Sequence, residues 1–295
     1  MRVGIQLYTI RHRLQADPYQ TLKDISDVGY KFVECANHNA YVDDGCGFGM
    51  SSAELKKRID EVGIQVVGAH VSPADEINEL DPFYADLERF KKLIEYYKPL
   101  GTKHMSVVVD FFPTLDYLKQ RCEVYNKLGE LLRANGMKLL YHNHWHEFQT
   151  FNDKPMFDYI MEYTDPENLG IELDAYWTQR GAYNPAEKIR QYGDRIGILH
   201  EKDFPFERMN EMNSWTRVDR TKPVDSVGFH KTVCEDDFIE VGDGMIKIQD
   251  VIDAGNEFNI PYILVEQDYT KLDELDSIKK SMSNFRKMRG LEWDD

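Results

Sequence analysis

Eight short apolar runs, each followed by an amphipathic stretch, predict an α/β chain folded as a single-domain (βα)8 TIM barrel. Three observations carry that reading. The runs are near-continuous in Val, Ile and Leu, as in a parallel sheet buried on both faces. The 295 residues suit one barrel of about 250 residues with insertions. No GxGxxG follows the first run, which argues against an open dinucleotide-binding sheet.

The first strand is expected over Val3–Tyr8. Asp17-Pro18 then offers an N-cap with proline in the first helical turn, and Gly29 stops that helix. Strand two is Lys31–Glu34. The run Gly45-Cys46-Gly47-Phe48-Gly49 after it reads as a loop rather than a phosphate cradle. Ser51-Ser52-Ala53-Glu54 reads as a capping box, and Gly63 closes the helix it opens. Strand three is Ile64–His70, and an amphipathic helix over Phe83–Tyr97 leads to strand four, His104–Asp110. A long helix, Leu115–Asn135, stops at Gly136 ahead of strand five, Lys138–His144. A helix over Pro155–Tyr163 precedes strand six, Leu169–Asp174. Asn184-Pro185 caps a helix that ends at Gly193, before strand seven, Ile196–His200. Helices over Ile246–Phe258 and Leu272–Met288 flank strand eight, Pro261–Glu266. One connection is out of proportion: residues 204–240, with Trp215, Arg217 and His230, read either as a lid or as a disordered excursion. A loop of this length could also reach a neighbouring subunit of a homo-oligomer.

Composition narrows the partners. A formal net charge of -16 repels a phosphate backbone and an anionic membrane surface, so nucleic acid and membrane are not expected partners. Cys35, Cys46, Cys122 and Cys234 have neither zinc-ribbon nor redox spacing and suit free thiols in a cytoplasmic protein. Met1-Arg2-Val3 runs directly into a strand, so no signal peptide is expected.

The chemistry should lie where the strands stop. A barrel gathers the carboxyl ends of its strands around one mouth, and four of those ends carry metal-type ligands: Tyr141-His142-Asn143-His144, Glu172-Leu173-Asp174, His200-Glu201-Lys202-Asp203 and Glu266-Gln267-Asp268. Alternate residues point inward, so one inward residue per strand end selects His142, Asp174, His200 and Glu266. Two imidazoles and two carboxylates suit a divalent ion such as Mn, Co, Fe, Zn or Mg. Taken singly, such a histidine reads as a hydrogen-bonded residue and such an Asp as an N-cap; four at one depth on successive strands read as a site. His144, one pleat further out, is a candidate base or second ligand. Glu147, on the loop above, is a candidate acid/base or a substitute for His142 on the ion, and His146 is expected to face solvent. Lys202 is expected to hold its proton less firmly beside a cation and to assist proton transfer, or else to form an ion pair with Asp203 or Glu266. Glu34 and His70 should line the far wall, while Tyr8, Trp177 and Phe112 either supply apolar faces for a sugar ring or cap the barrel as ordinary core.

These segments resemble the sugar phosphate isomerase/epimerase superfamily, the xylose isomerase-like TIM barrels that include D-tagatose 3-epimerase and inosose dehydratase. The resemblance rests on Gly4-Ile5-Gln6-Leu7-Tyr8-Thr9-Ile10-Arg11, Val33-Glu34, Ala69-His70, Tyr141-His142-Asn143-His144, Leu173-Asp174-Ala175-Tyr176-Trp177, His200-Glu201-Lys202-Asp203, Glu240-Val241-Gly242-Asp243-Gly244 and Val265-Glu266. It covers nearly the whole chain apart from residues 204–240. It implies a divalent ion held by Glu, Asp, His and Glu from strands five to eight, the last three falling on Asp174, His200 and Glu266. The first falls on His142, so the two-glutamate proton transfer of the epimerases does not carry over. What the resemblance implies first is a metal-dependent isomerase or epimerase of a ketose or keto-sugar, Glu266 doubling as a proton-transfer residue and His144, Glu147 and Lys202 assisting. The alternatives are a lyase, of the inosose dehydratase or C-glycoside deglycosidase kind, and a non-catalytic sugar-binding subunit.

Overall fold

Parallel strands close on themselves in the computed structural model, which describes residues 1–36, 49–71 and 82–293. The eight barrel strands are β1 (Arg2–Gln6), β2 (Phe32–Cys35), β3 (Gln65–Val71), β4 (His104–Val108), β5 (Lys138–His142), β8 (Leu169–Asp174), β9 (Ile196–Glu201) and β10 (Tyr262–Val265). They neighbour one another in chain order, and β10 returns to pair with β1. The two remaining strands, β6 (Thr150–Phe151) and β7 (Lys154–Pro155), make a small antiparallel ribbon that periodicity did not reveal. Its turn, Asn152-Asp153, has positive φ at both residues, which suits a two-residue hairpin. Four barrel strands stop short of expectation: β1, β4, β5 and β10 end two, two, two and one residues early. His144 therefore stands beyond its strand, and Lys202 lies just past the end of β9, so pleat parity applies to neither.

The helices form where the punctuation predicts. Asp17 accepts from the Gln20 N–H and Pro18 opens α2 (Pro18–Val28), which Gly29 ends in a left-handed conformation with φ 111°. Ser51 caps α3 (Ser52–Val62) through the Glu54 N–H. Asn184 caps α8 (Pro185–Tyr192) through two N–H groups, although Gly193 is right-handed and continues into a 3-10 turn. The Gly45–Phe48 stretch, with Cys46, lies outside the described residues. Cys35, Cys122 and Cys234 form no disulfide among the described residues. Among the described residues no helix is long and apolar enough to cross a membrane.

Residues 204–240 are a packed cap, not an excursion. Short 3-10 turns and the helix α9 (Ser226–His230) fold over the barrel mouth. Fully buried Asp237 braces them, accepting from Arg180 at 3.0 Å and from Arg217 at 2.7 Å. The Trp215 indole donates to the Gly181 carbonyl at 2.9 Å. Asp203, just past β9, anchors the far end of the cap by accepting from the N–H groups of Phe204, Gly242, Gly244 and Ile246. A Cβ on Gly244 would lie 2.3 Å from Asp203 Oδ1, so only glycine lets that turn close.

Candidate metal centre and cavity

The inside of the barrel has two layers. The lower one is apolar: Phe32, Val67, Leu140, Ile198 and Leu264 pack together with no polar side chain among them. The upper one is polar. Its members, Gln6, Glu34, His70, Ser106, His142, Glu172 and His200, are all buried. Above them opens a cavity of about 310 Å³, lined by Tyr8, His70, Val109, His142, His144, Trp177, Lys202, Glu266 and Asp268, with Phe229, His230 and Val233 of the cap closing over it. Val109 is a β-branched residue at φ 56°, a costly conformation at the cavity wall.

Donor atoms of His142, Asp174, His200 and Glu266 all lie within 4.8 Å of one another. Two imidazoles and two carboxylates at that spacing are a donor set a divalent transition ion fits. Asp174 also caps the short helix α7 (Ala175–Arg180), accepting from the Trp177 N–H at 2.7 Å through Oδ1 and leaving Oδ2 4.0 Å from His142 Nε2. That second oxygen accepts from the Lys202 ammonium at 2.9 Å. Lys202 also bonds Glu266 and stands 3.6 Å from Asp268. Ammonium and dication would compete for the same oxygens.

Charge in this region is set by neighbours as much as by burial. Burial alone would strip the proton from Lys202, but Asp174, Glu266 and Asp268 outweigh it and hold the ammonium well above its ordinary range. Without an ion, the alternative expectation holds: Lys202 forms an ion pair with Glu266, and with Asp174. Burial would raise Glu266, yet Lys202 and His200 keep it well below the usual carboxylate range. Burial likewise lowers His200, and the Glu172 and Glu34 carboxylates push it back up to about 10. Burial, then the neighbouring His142 and His146, drives His144 well below its ordinary value. Its imidazole is therefore neutral, and its Nδ1 is buried without a hydrogen-bond partner among the described residues. Burial raises Asp268 to about 6, only partly offset by Lys202.

The sequence-selected residues divide. His142, Asp174, His200 and Glu266 converge, His144 and Lys202 face the same cavity, and Tyr8, His70 and Trp177 line it. Four placements differ from the expectation. Glu34 does not line the wall; it lies under the floor, bonded to Gln6 and His200. Glu147 lines no part of the cavity. Fully buried, it accepts from the Tyr141 hydroxyl at 3.0 Å and the His144 N–H at 2.9 Å, and so fixes the turn that presents His144. His146 is not solvent-facing: it stacks on Phe111 and bonds the Asp110 carbonyl at 2.9 Å. Phe112 is core rather than cavity wall. Sequence reasoning passed over Glu172, whose parity with Asp174 was the available signal. It also passed over Asp268, whose parity with Glu266 was the same signal, named His230 only as part of the long loop, and missed the cap residue Phe229, for which no periodic signal exists.

Comparison with known proteins agrees with this architecture. An inosose dehydratase of Geobacillus kaustophilus is 22% identical over 206 residues, 62% of this chain and 61% of that protein. The chain thus spans about six tenths of that relative, and less of several others that it matches. A sugar phosphate isomerase/epimerase of Parabacteroides distasonis superposes with a TM-score of 0.78 at 22% identity, covering 99% of this chain and 95% of that one. The IOLI protein, crystallised with a zinc atom, superposes with a TM-score of 0.68 at 17% identity, covering 97% and 96%. The model of the xylose isomerase-like TIM barrel matches residues 22–288, and the chain belongs to that family.

Proposed function

We propose that the protein is a divalent-metal-dependent lyase that removes water from a polyhydroxylated ketone of the keto-inositol or keto-sugar class. One observation carries the reading: four metal-type donors meet beside a cavity that two of them, His142 and Glu266, line, and whose wall also holds His144, with its Nδ1 unpartnered among the described residues. The similarity to an inosose dehydratase supports it. So does histidine at position 142, which removes one glutamate of the epimerase proton-transfer pair.

His142, Asp174, His200 and Glu266 would hold a dication, which would supply the polarisation of a substrate carbonyl that acidifies the adjacent C–H. His144, kept neutral by burial, takes that proton. The electrons of the broken C–H bond form the new double bond as the neighbouring C–O bond breaks. The His144 imidazolium then hands its proton to the departing hydroxyl, water leaves and the base is reset. Lys202, which bonds Asp174 and Glu266, orients those carboxylates and the leaving oxygen. Tyr8 and Trp177 provide the ring faces that pack against the carbon skeleton. The cap residue Phe229 meets the His144 ring edge-on at 5.2 Å and shuts bulk water away from it.

A second reading has one observation behind it. Glu266, held ionised by Lys202, faces the same cavity as His144, so two bases line it. That arrangement would return the proton to the opposite face and give an epimerase. Incubation of the metal-loaded protein with keto-inositols and keto-sugars in D2O separates the two. The lyase yields a product lighter by one water; the epimerase yields deuterated substrate of inverted configuration. Tight sugar binding with neither outcome in any metal form overturns both.

A further inference from the structure

The buried carboxylates Glu172 and Glu34 have no part in the chemistry above, yet they touch both metal-type imidazoles. Glu172 Oε1 lies 2.9 Å from His142 Nδ1, and the other ring nitrogen, Nε2, points outward, 4.0 Å from Asp174 Oδ2. His200 is mounted the other way round. Its Nε2 lies 2.7 Å from Glu34 Oε2, and its Nδ1 faces Glu266 Oε2 at 3.0 Å.

We infer that Glu172 and Glu34 are positioning residues that hold the inward ring protons of His142 and His200, so that His142 Nε2 and His200 Nδ1 offer their lone pairs to the ion. The inference rests on the metal reading above and extends it to two residues and two tautomers. Which nitrogen of an imidazole binds a metal is set by the hydrogen bond its other nitrogen makes. Here the two rings are locked in opposite senses, Nδ1–H for His142 and Nε2–H for His200.

The carboxylates are themselves pinned. The Ser106 hydroxyl donates to Glu172 Oε2 at 2.5 Å, and the Gln6 amide donates to Glu34 Oε2 at 3.0 Å. His70 ties the two together, its Nε2 standing 2.5 Å from Glu172 Oε1 and 3.1 Å from Glu34 Oε2. Backbone geometry makes room: a Cβ on Gly68 would lie 2.5 Å from Glu34 Oε1.

The same layer also contains a compact His70, His142, Glu172 and His200 group whose donor atoms lie within 4.8 Å of one another. Its short contacts favour protons over a second ion. His70 Nε2, His142 Nδ1 and His200 Nε2 all face one oxygen, Glu172 Oε1, at 2.5, 2.9 and 3.2 Å, the arrangement of N–H donors around a shared acceptor rather than of lone pairs around an ion.

Two measurements on the full chain test this. In the protein labelled with 15N-histidine and loaded with Zn2+, long-range nitrogen–proton correlation spectra should show His142 protonated on Nδ1 and His200 on Nε2. The reversed tautomer at either ring overturns the inference, and this reading needs no variant. Calorimetric titration with Co2+ should show Glu172→Gln and Glu34→Gln each weakening binding by about 10–100-fold, with an altered cobalt absorption spectrum. Unchanged affinity and spectrum in folded variants overturn it, as does a second zinc equivalent bound by the inner group. If the unmodified protein binds neither Zn2+ nor Co2+, the metal reading falls together with this inference; if it binds one ion while the tautomers are reversed, only this inference falls.

Discussion

The lower and upper halves of the barrel interior are built by the same strands and do opposite things. On β5, Leu140 sits in the apolar layer, and His142, two residues on, sits in the polar one. On β9 the same step separates Ile198 from His200, and on β2 it separates Phe32 from Glu34. One pleat therefore takes each strand from a layer that holds the barrel closed to a layer that holds charge. Burying carboxylates and imidazoles is costly unless they are paired, and here nearly every one has a partner. The lower layer needs no such matching, only volume.

Substitutions should expose that division. The largest effect is expected from Asp174→Ala and Glu266→Ala, which should abolish Mn2+ binding measured by calorimetry. Circular dichroism should show the barrel intact, with Asp174→Ala losing roughly 1 kcal/mol for the cap it gives α7. Leu140→Ala should do the reverse, costing about 2–5 kcal/mol in denaturant unfolding while leaving metal affinity within a few-fold. Equal metal loss from Leu140→Ala would erase the distinction between the layers.

A pH dependence follows from His200. Its proton persists to about 10 in the metal-free protein, against an ordinary value near 6.5. Ligation must expel that proton, so Co2+ affinity should rise about tenfold per pH unit between pH 7 and 9, with proton release visible in buffers of different ionisation heat. The same shift fixes the sign for stability. The contribution of protonated His200 to the metal-free fold is complete below about pH 6.5 and is lost as pH rises through about 10. A flat affinity profile would mean that His200 is neutral before the ion arrives. The smallest effect is expected at the cap, where Phe229→Ala should raise KM several-fold, with metal affinity unchanged.

The sequence made the barrel legible because its punctuation is local. Asp17-Pro18, Ser51 and Asn184 cap helices through their own neighbours, and Gly29, Gly63 and Gly136 end them with positive φ. His142, Asp174, His200 and Glu266 were legible for a different reason: strand ends converge in a barrel, so equal depth on successive strands implies proximity in space. That rule expires where the strand does. Glu147 and His146 lie on a 3-10 turn after β5, and its curvature, not the pleat, turns both into buried supports. Glu34 was read as wall because depth along β2 says nothing of what lies above it. Phe229 and His230 reach the cavity only through the folding of the cap, which leaves no periodic trace.

Anomalous diffraction from crystals of the full chain loaded with Mn2+ tests the central claim most directly. The account predicts one peak within bonding distance of His142 Nε2, Asp174 Oδ2, His200 Nδ1 and Glu266, with the Lys202 ammonium moved off at least one of the two carboxylates. No peak there, with Lys202 still joining Asp174 to Glu266 at saturating Mn2+, would contradict it.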